Sequence, residues 1–282
     1  MTLFNFAKKS ALLIISILFL LTQLQSQNQS EEKVYKVNKL VEIPITVGGF
    51  TLNYIGFGLL RDKPRLDSSQ ILNLNKNDVW FLDRIALNQT TSQRINAQNI
   101  SDVAMNIMLA APVLLLIDKK MRKDWFDLLV LYGETHAITS FIYAYGGAML
   151  TKRKRPYNYY PEVPWDVKLG SGSTDSFFSG HTATTAASSF FMAKVISDYH
   201  PELGGKKWLI FAGALIPPAI VGYYRKRALK HFPTDIITGT IVGAACGILV
   251  PHFHKIVKRK NENLTVVPYV GGYSGLALSL KF

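Results

Sequence analysis

The chain has one cysteine, Cys246, in 282 residues. That excludes a disulfide framework or a cysteine metal site within one chain. Its place in the apolar run Ile237–Val250 reads as a small buried hydrophobe. Charge is also scarce: only 18% of residues are charged, where soluble domains average about a quarter. Apolar residues reach 48% and the mean hydropathy is +0.13. This balance leans towards membrane contact. Acidic residues are the scarcer sign, 19 against 32 basic, for a formal net charge of +13. Such an excess attracts polyanions. Nucleic acid is disfavoured as a partner, because no DNA- or RNA-binding fingerprint is present and the basic residues lie between apolar runs. A membrane surface and phosphorylated substrates remain. The length suits one domain with a real core, or a smaller domain with appendages.

The chain opens like an exported protein: Lys8-Lys9, then the apolar run Ala11–Leu21, then the polar stretch Gln23–Gln29. Residues 1–27 therefore read as a signal peptide or N-terminal anchor, and 28–100 as an extension. Within that extension Ile43–Leu60 is apolar but glycine-bearing, which suits a span, a hairpin or an interfacial segment. An amphipathic helix is expected around Trp80–Leu87, with Asp83 and Arg84 as solvated helix charges. From Asp102 onwards helices dominate: Val103–Ile117 with Ser101-Asp102 as its N-cap, Trp125–Leu150, Gly180–Ser197, Trp208–Tyr223 and Ile236–Val250. Pro217-Pro218 should kink the fourth. Glu134 and His136 read as polar groups stabilising the bundle interior. Residues 252–282 form a basic tail and a β-hairpin, Thr265–Tyr269 and Leu276–Phe282 flanking a glycine-rich turn. The fold class is all-α: about five or six mostly membrane-embedded helices, with a small C-terminal hairpin and residues 101–251 as the core.

Three clusters at helix ends carry chemistry. Arg155-Pro156 ends the second of these helices, because proline extends the residue before it, and Arg155 offers a planar fork for phosphate oxygens. Ser179-Gly180-His181 opens a helix, where backbone N–H groups bind anions and glycine permits close approach. His181 suits a general acid. Arg225 precedes His231 and Asp235, the last two at a four-residue interval. Pro233 places His231 in a loop just before a helix and Asp235 in its first turn. A carboxylate near an imidazole can fix its tautomer and free the other nitrogen to attack.

Together these clusters resemble the type 2 phosphatidic acid phosphatase and vanadium haloperoxidase superfamily, in its membrane-associated phosphatase branch. The resemblance covers about Ser101–Val250. It implies a phosphohistidine at His231, oriented by Asp235, and leaving-group protonation by His181. Arg155, Arg225, Ser179 and Gly180 would hold the phosphoryl oxygens, with no metal and no cofactor. Three positions depart from the family pattern. Phe178 replaces proline, Tyr224 stands where serine is frequent, and Ala148 occupies the place of a phosphate-gripping lysine. Lys152 or Arg153 from the next turn is the expected substitute cation.

The expected function is metal-independent hydrolysis of a phosphomonoester or diphosphate, of a lipid or isoprenoid. The alternatives are a soluble-substrate acid phosphatase and a catalytically weakened phosphate-binding membrane protein; halide oxidation is disfavoured by the missing lysine. The basic linker Asp118–Asp124 favours a cytoplasmic position, which puts the three clusters on the outer face of the cell membrane. An exported soluble or outer-membrane-associated protein is the alternative location.

Overall fold

A computed structural model describes residues 33–256 and the backbones of two strands, 264–270 and 274–280; the export-like segment 1–27 lies outside the described residues. The longer helices are α1 (Lys39–Arg61), α2 (Arg94–Ala110), α3 (Trp125–Phe141), α4 (Gly180–Tyr199), α5 (Lys207–Ala214), α6 (Ile216–Arg227) and α7 (Pro233–His254). Strands β1 (Leu264–Val270) and β2 (Ser274–Leu280) pair antiparallel, with Leu264 opposite Leu280 and Val270 opposite Ser274. The expected hairpin is therefore present, with slightly earlier strand starts.

Ile43–Leu60 lies wholly within α1, so it is helical and not a hairpin. α2 begins at Arg94, well before the expected Ser101-Asp102 cap, because the polar stretch 94–100 is the first part of the same helix. A tighter helical stretch, Ala111–Ile117, continues it. Trp80–Leu87 contains only a short turn of helix, Arg84–Leu87. α3 widens into a π-helical turn over Ile142–Ala148 before the chain leaves for Arg155. The diproline works as expected. The helical run divides at Leu215, where α5 ends and α6 begins with prolines in its first turn, the position that best tolerates them.

Four helical stretches are long and apolar enough to cross a bilayer: 39–61, 94–117, 201–227 and 233–254. Their outward faces carry exposed apolar side chains, among them Val47 on α1, Ile107 on α2, Leu209 on α5 and Ile241 on α7. The bundle is thus all-α and mostly membrane-embedded, with α3 and α4 supplying much of its interior. Passages alternate in direction. His200, after the C-terminal end of α4, bonds Asp118 at 2.9 Å, and Tyr199 bonds Asp124 at 2.7 Å. The basic linker therefore lies at the far end of α4 from His181. Twenty residues at ~1.5 Å each separate those ends by about 30 Å, one hydrocarbon thickness.

The closest helix contact joins α4 and α7. Gly239, Gly243 and Gly247 recur every fourth residue on one face of α7. A methyl group at each would collide with the backbone carbonyl oxygen of Ser179, Ala183 or Ala187 on α4. The small side chains of α4 meet it from the other side, and Ala183, Ala186 and Ala187 are buried. Small residues on both faces let the backbones approach to contact. This apposition places the start of α4, with Ser179-Gly180-His181, beside the start of α7, with Asp235. The Ser179 N–H donates to the Asp235 carbonyl at 3.0 Å.

A methyl at position 243 must push the helices apart, and overpacking of this kind costs about 1–3 kcal/mol. Gly243→Ala should lower the unfolding temperature in detergent. Gly213→Ala, where a methyl meets nothing within 4 Å, should leave it unchanged or raise it slightly. Equal behaviour of the two variants would show that the α4–α7 contact is looser than described.

Candidate phosphoryl-transfer site

His231 is 1% exposed and sits between α6 and α7. Its Nδ1 lies 2.7 Å from the Ser176 carbonyl oxygen. A carbonyl can only accept, so Nδ1 carries the hydrogen and Nε2 presents its lone pair. Burial, then the Arg155 and Arg225 guanidinium groups, hold the imidazole well below its ordinary pKa, so the ring is neutral. An Arg155 terminal nitrogen stands 3.4 Å from that Nε2. The same guanidinium is fixed by its own neighbours: Nε donates to the Gly172 carbonyl at 2.7 Å, and a terminal nitrogen to the Lys230 carbonyl at 3.2 Å. Pro156 starts a short helical turn directly after Arg155, whereas the long helix expected to end at Arg155-Pro156 already ends at Ala148.

Asp235 does not accept from His231. Its nearer oxygen is 4.0 Å from Nδ1, beyond hydrogen-bond reach. The carboxylate instead accepts from Ser176 Oγ at 2.6 Å, the Phe232 N–H at 2.9 Å and an Arg153 terminal nitrogen at 2.6 Å. It thereby fixes the segment whose carbonyl orients the imidazole. The expected direct contact becomes an indirect one, because Asp235 is drawn back to cap the first turn of α7.

Arg153 is unavailable as the substitute cation. It is held between Asp235 and Asp83, with a further bond to Thr234 Oγ1 at 2.9 Å. Asp83, expected as a solvated charge, is fully buried and also accepts from the Thr234 N–H at 3.0 Å. Arg84 bonds the carbonyls of Val79 and Asn77. Lys152 is exposed and makes no hydrogen bond or ion pair among the described residues. Ala148 is completely buried with Leu60 and Ala144, so a longer side chain has no room there.

Two groups that the sequence did not single out enter the site. Asp102 lies inside α2 and bonds His181 Nε2 at 2.8 Å and an Arg225 terminal nitrogen at 3.1 Å. Its apparent capping position concealed this, since α2 starts two turns earlier. Lys230 lies next to His231 in sequence, with its ammonium 5.4 Å from the Tyr157 ring centre. Burial, then Arg155, Arg225 and Arg94, push its pKa down to about 7. Its neighbourhood is therefore cation-rich and poorly hydrated. The only sequence hint was a lysine beside the loop histidine.

Arg225 is 5% exposed, and its Nε–H is buried without an acceptor among the described residues. Buried donors are rarely left unpaired, so this one points to an absent acceptor. Ser179 caps α4, accepting from the Thr182 N–H at 3.4 Å, and Gly180 packs against the Tyr143 ring. Arg155, Arg225, His181, His231 and the α4 N-terminus thus occupy one end of the bundle. Beside His181 a cavity of about 240 Å³ opens between α1, α2, α3 and α4, lined by Phe57, Met105, Tyr143 and Ala183 among others. A second cavity, about 360 Å³, shares Phe57 and Tyr143 and reaches Asp175.

Comparison with curated proteins gives no match. Among solved structures, the first transmembrane PAP2-type phosphatidylglycerolphosphate phosphatase from Bacillus subtilis is similar at 19% identity and a TM-score of 0.44. That alignment covers 77% of this chain and 98% of the other. Residues 124–259, which hold Arg155, Ser179-Gly180-His181, Arg225, His231 and Asp235, match the family model of the PAP2 superfamily. In that segment, just under half of the chain, it is similar to the PAP2 superfamily.

Proposed function

We propose that this protein is a phosphatase acting on a lipid phosphate or diphosphate through a phosphohistidine at His231. The observation that carries the reading is the neutral, buried imidazole whose Nε2 lone pair faces the Arg155 fork. In the first step Nε2 attacks phosphorus, forming a P–N bond as the P–O bond to the alcohol breaks. His181 gives the departing oxygen its proton. Asp102 accepts from His181 Nε2, so Nδ1 is the nitrogen left for that transfer; burial and then Arg225 hold the ring's pKa down to about 4 while no anion is bound, so the Nδ1 proton arrives with the anionic substrate. In the second step water attacks phosphorus, His181 takes the proton, and the P–N bond breaks to release phosphate and restore His231. Arg155 and Arg225 gather the charge on the phosphoryl oxygens, and the orphan Arg225 Nε–H gains an acceptor. Ser179 and Gly180 add donors at the helix start.

Lys230, next to His231 in sequence and near enough to Arg155 and Arg225 for their charges to lower its pKa, is our candidate to replace the lysine that Ala148 lacks. It is neutral above pH about 7 while the site holds no anion, and an incoming anion draws a proton onto it. The apolar cavity beside His181 lies on the leaving-group side and between membrane-embedded helices, which favours a lipid or isoprenoid alcohol over a small soluble one. Lys120, Arg122 and Lys123 lie in the linker at the opposite end of the bundle. The positive-inside bias then turns the site to the outer face of the membrane.

Phosphate release in detergent plus chelator, from phosphatidate, an isoprenyl diphosphate and a small aryl phosphate, tests the function. Turnover should favour the lipids and vanish in His231→Ala; turnover surviving in that variant, or strictly requiring a divalent ion, overturns the route. Asp102→Asn should remove part of the ~10²–10⁴-fold that a general acid supplies, with a larger loss on an alkyl phosphate than on an aryl phosphate, whose leaving group needs little protonation. Sulfate keeps its charge between pH 6 and 8.5, so its affinity reports the protein alone. It should weaken several-fold as pH rises through that interval, because the free site loses the Lys230 charge, and Lys230→Met should flatten the profile. A slope unchanged in Lys230→Met would remove Lys230 from the anion site.

A further inference from the structure

Across the bundle from the phosphoryl site, α1, α3 and α7 bring Glu42, Glu134 and His254 together. One carboxylate oxygen from each glutamate and one His254 ring nitrogen lie within 4.8 Å of one another. His254 Nδ1 is 2.8 Å from the Val250 carbonyl oxygen, so Nδ1 carries a hydrogen and Nε2 points at the carboxylates. The Nε2 distances are 3.4 Å to Glu42 and 3.7 Å to Glu134, with side chains only 12–16% exposed. The longer one exceeds hydrogen-bond length. Glu134, 9% exposed, leaves its Oε2 buried with no hydrogen-bond partner among the described residues. No lysine or arginine pairs with either glutamate among the described residues.

Two carboxylates facing one imidazole are unbalanced in a poorly hydrated interior. With His254 protonated and both carboxylates ionised the cluster would keep one uncompensated negative charge, so without a cation one glutamate must hold a proton. A divalent cation neutralises both carboxylates and takes the Nε2 lone pair. Zinc bound tetrahedrally at ~2.0–2.1 Å needs ligand atoms about 3.3 Å apart, close to the two measured edges. The Nδ1–H bond to a backbone carbonyl is the outer contact that habitually orients a metal-binding histidine. We propose that Glu42, Glu134 and His254 form a binding site for a first-row divalent metal ion, zinc foremost, that ties α1, α3 and α7 together. One imidazole with two carboxylates suits zinc, cobalt or manganese and disfavours copper(I). None of the three residues contacts the phosphoryl-transfer groups, so the ion is structural.

The test uses the full chain, stripped with chelator in detergent and then titrated with Co²⁺, with Zn²⁺ as competitor. One Co²⁺ per chain should bind with the absorption of a tetrahedral site, and Zn²⁺ should displace it. Glu42→Gln and Glu134→Gln, which keep side-chain size, and His254→Ala should each weaken binding at least tenfold. Zn²⁺ should raise the unfolding temperature of the unsubstituted chain and not of the variants. Phosphate release measured in chelator should be retained by both glutamine variants, showing that they fold. Absence of stoichiometric binding by folded protein overturns the proposal, as does binding that these substitutions leave unchanged. The cluster is then only a protonated His254 between two glutamates.

Discussion

The contact of α4 against α7 sets the geometry of everything at the site end of the bundle. Three glycines on α7 let its backbone rest on carbonyl groups of α4, and no side chain intervenes to act as a spacer. In a bilayer, where lipid tails offer apolar surface as readily as protein does, such close packing is a main source of helix association. The register that results brings the start of α4 to the start of α7, so Ser179 bonds Asp235 through the backbone. The N-terminus of α4 and the start of α7, which the loop histidine precedes, become neighbours as a consequence.

Around that contact the protein concentrates positive charge where water is scarce. Arg155, Arg225 and Lys230 share one region, and Asp102 is the carboxylate that touches Arg225. Burial and this crowding of cations together lower the Lys230 pKa. A second layer holds the first in place. Asp83 and Asp235 clamp Arg153, and Asp235 fixes Ser176, whose carbonyl sets the His231 tautomer. Carboxylates that do not bond His231 therefore determine which imidazole nitrogen keeps its lone pair.

Much of the fold was legible because its signals are local. Apolar runs gave the helices of the core, Pro217-Pro218 gave the break between α5 and α6, and Pro233 gave the start of α7 just after His231. The hairpin followed from alternation around a glycine-rich turn. What escaped were long-range partnerships. Asp83 sits in a polar stretch that reads as solvated, yet it meets Thr234 across 151 positions of chain. Asp102 resembles a helix cap, yet it faces His181 from inside a longer helix. Arg153 looked like a spare cation beside Arg155, and only its distant carboxylate partners show that it is committed elsewhere.

By itself the sequence determined the helical class, the helix-end location of the three clusters, and the residue types that can hold and attack a phosphate. These depend on periodicity, on proline and glycine, and on side-chain chemistry, all properties of neighbouring residues. Only the tertiary structure decided which carboxylate bonds which histidine, that Arg155 and Arg225 come near enough to Lys230 to lower its pKa, and that Glu42, Glu134 and His254 converge. The reason is physical. Hydrogen bonds and buried charges act over a few ångströms between helices, and the distances between helices are set by packing contacts that no local pattern encodes.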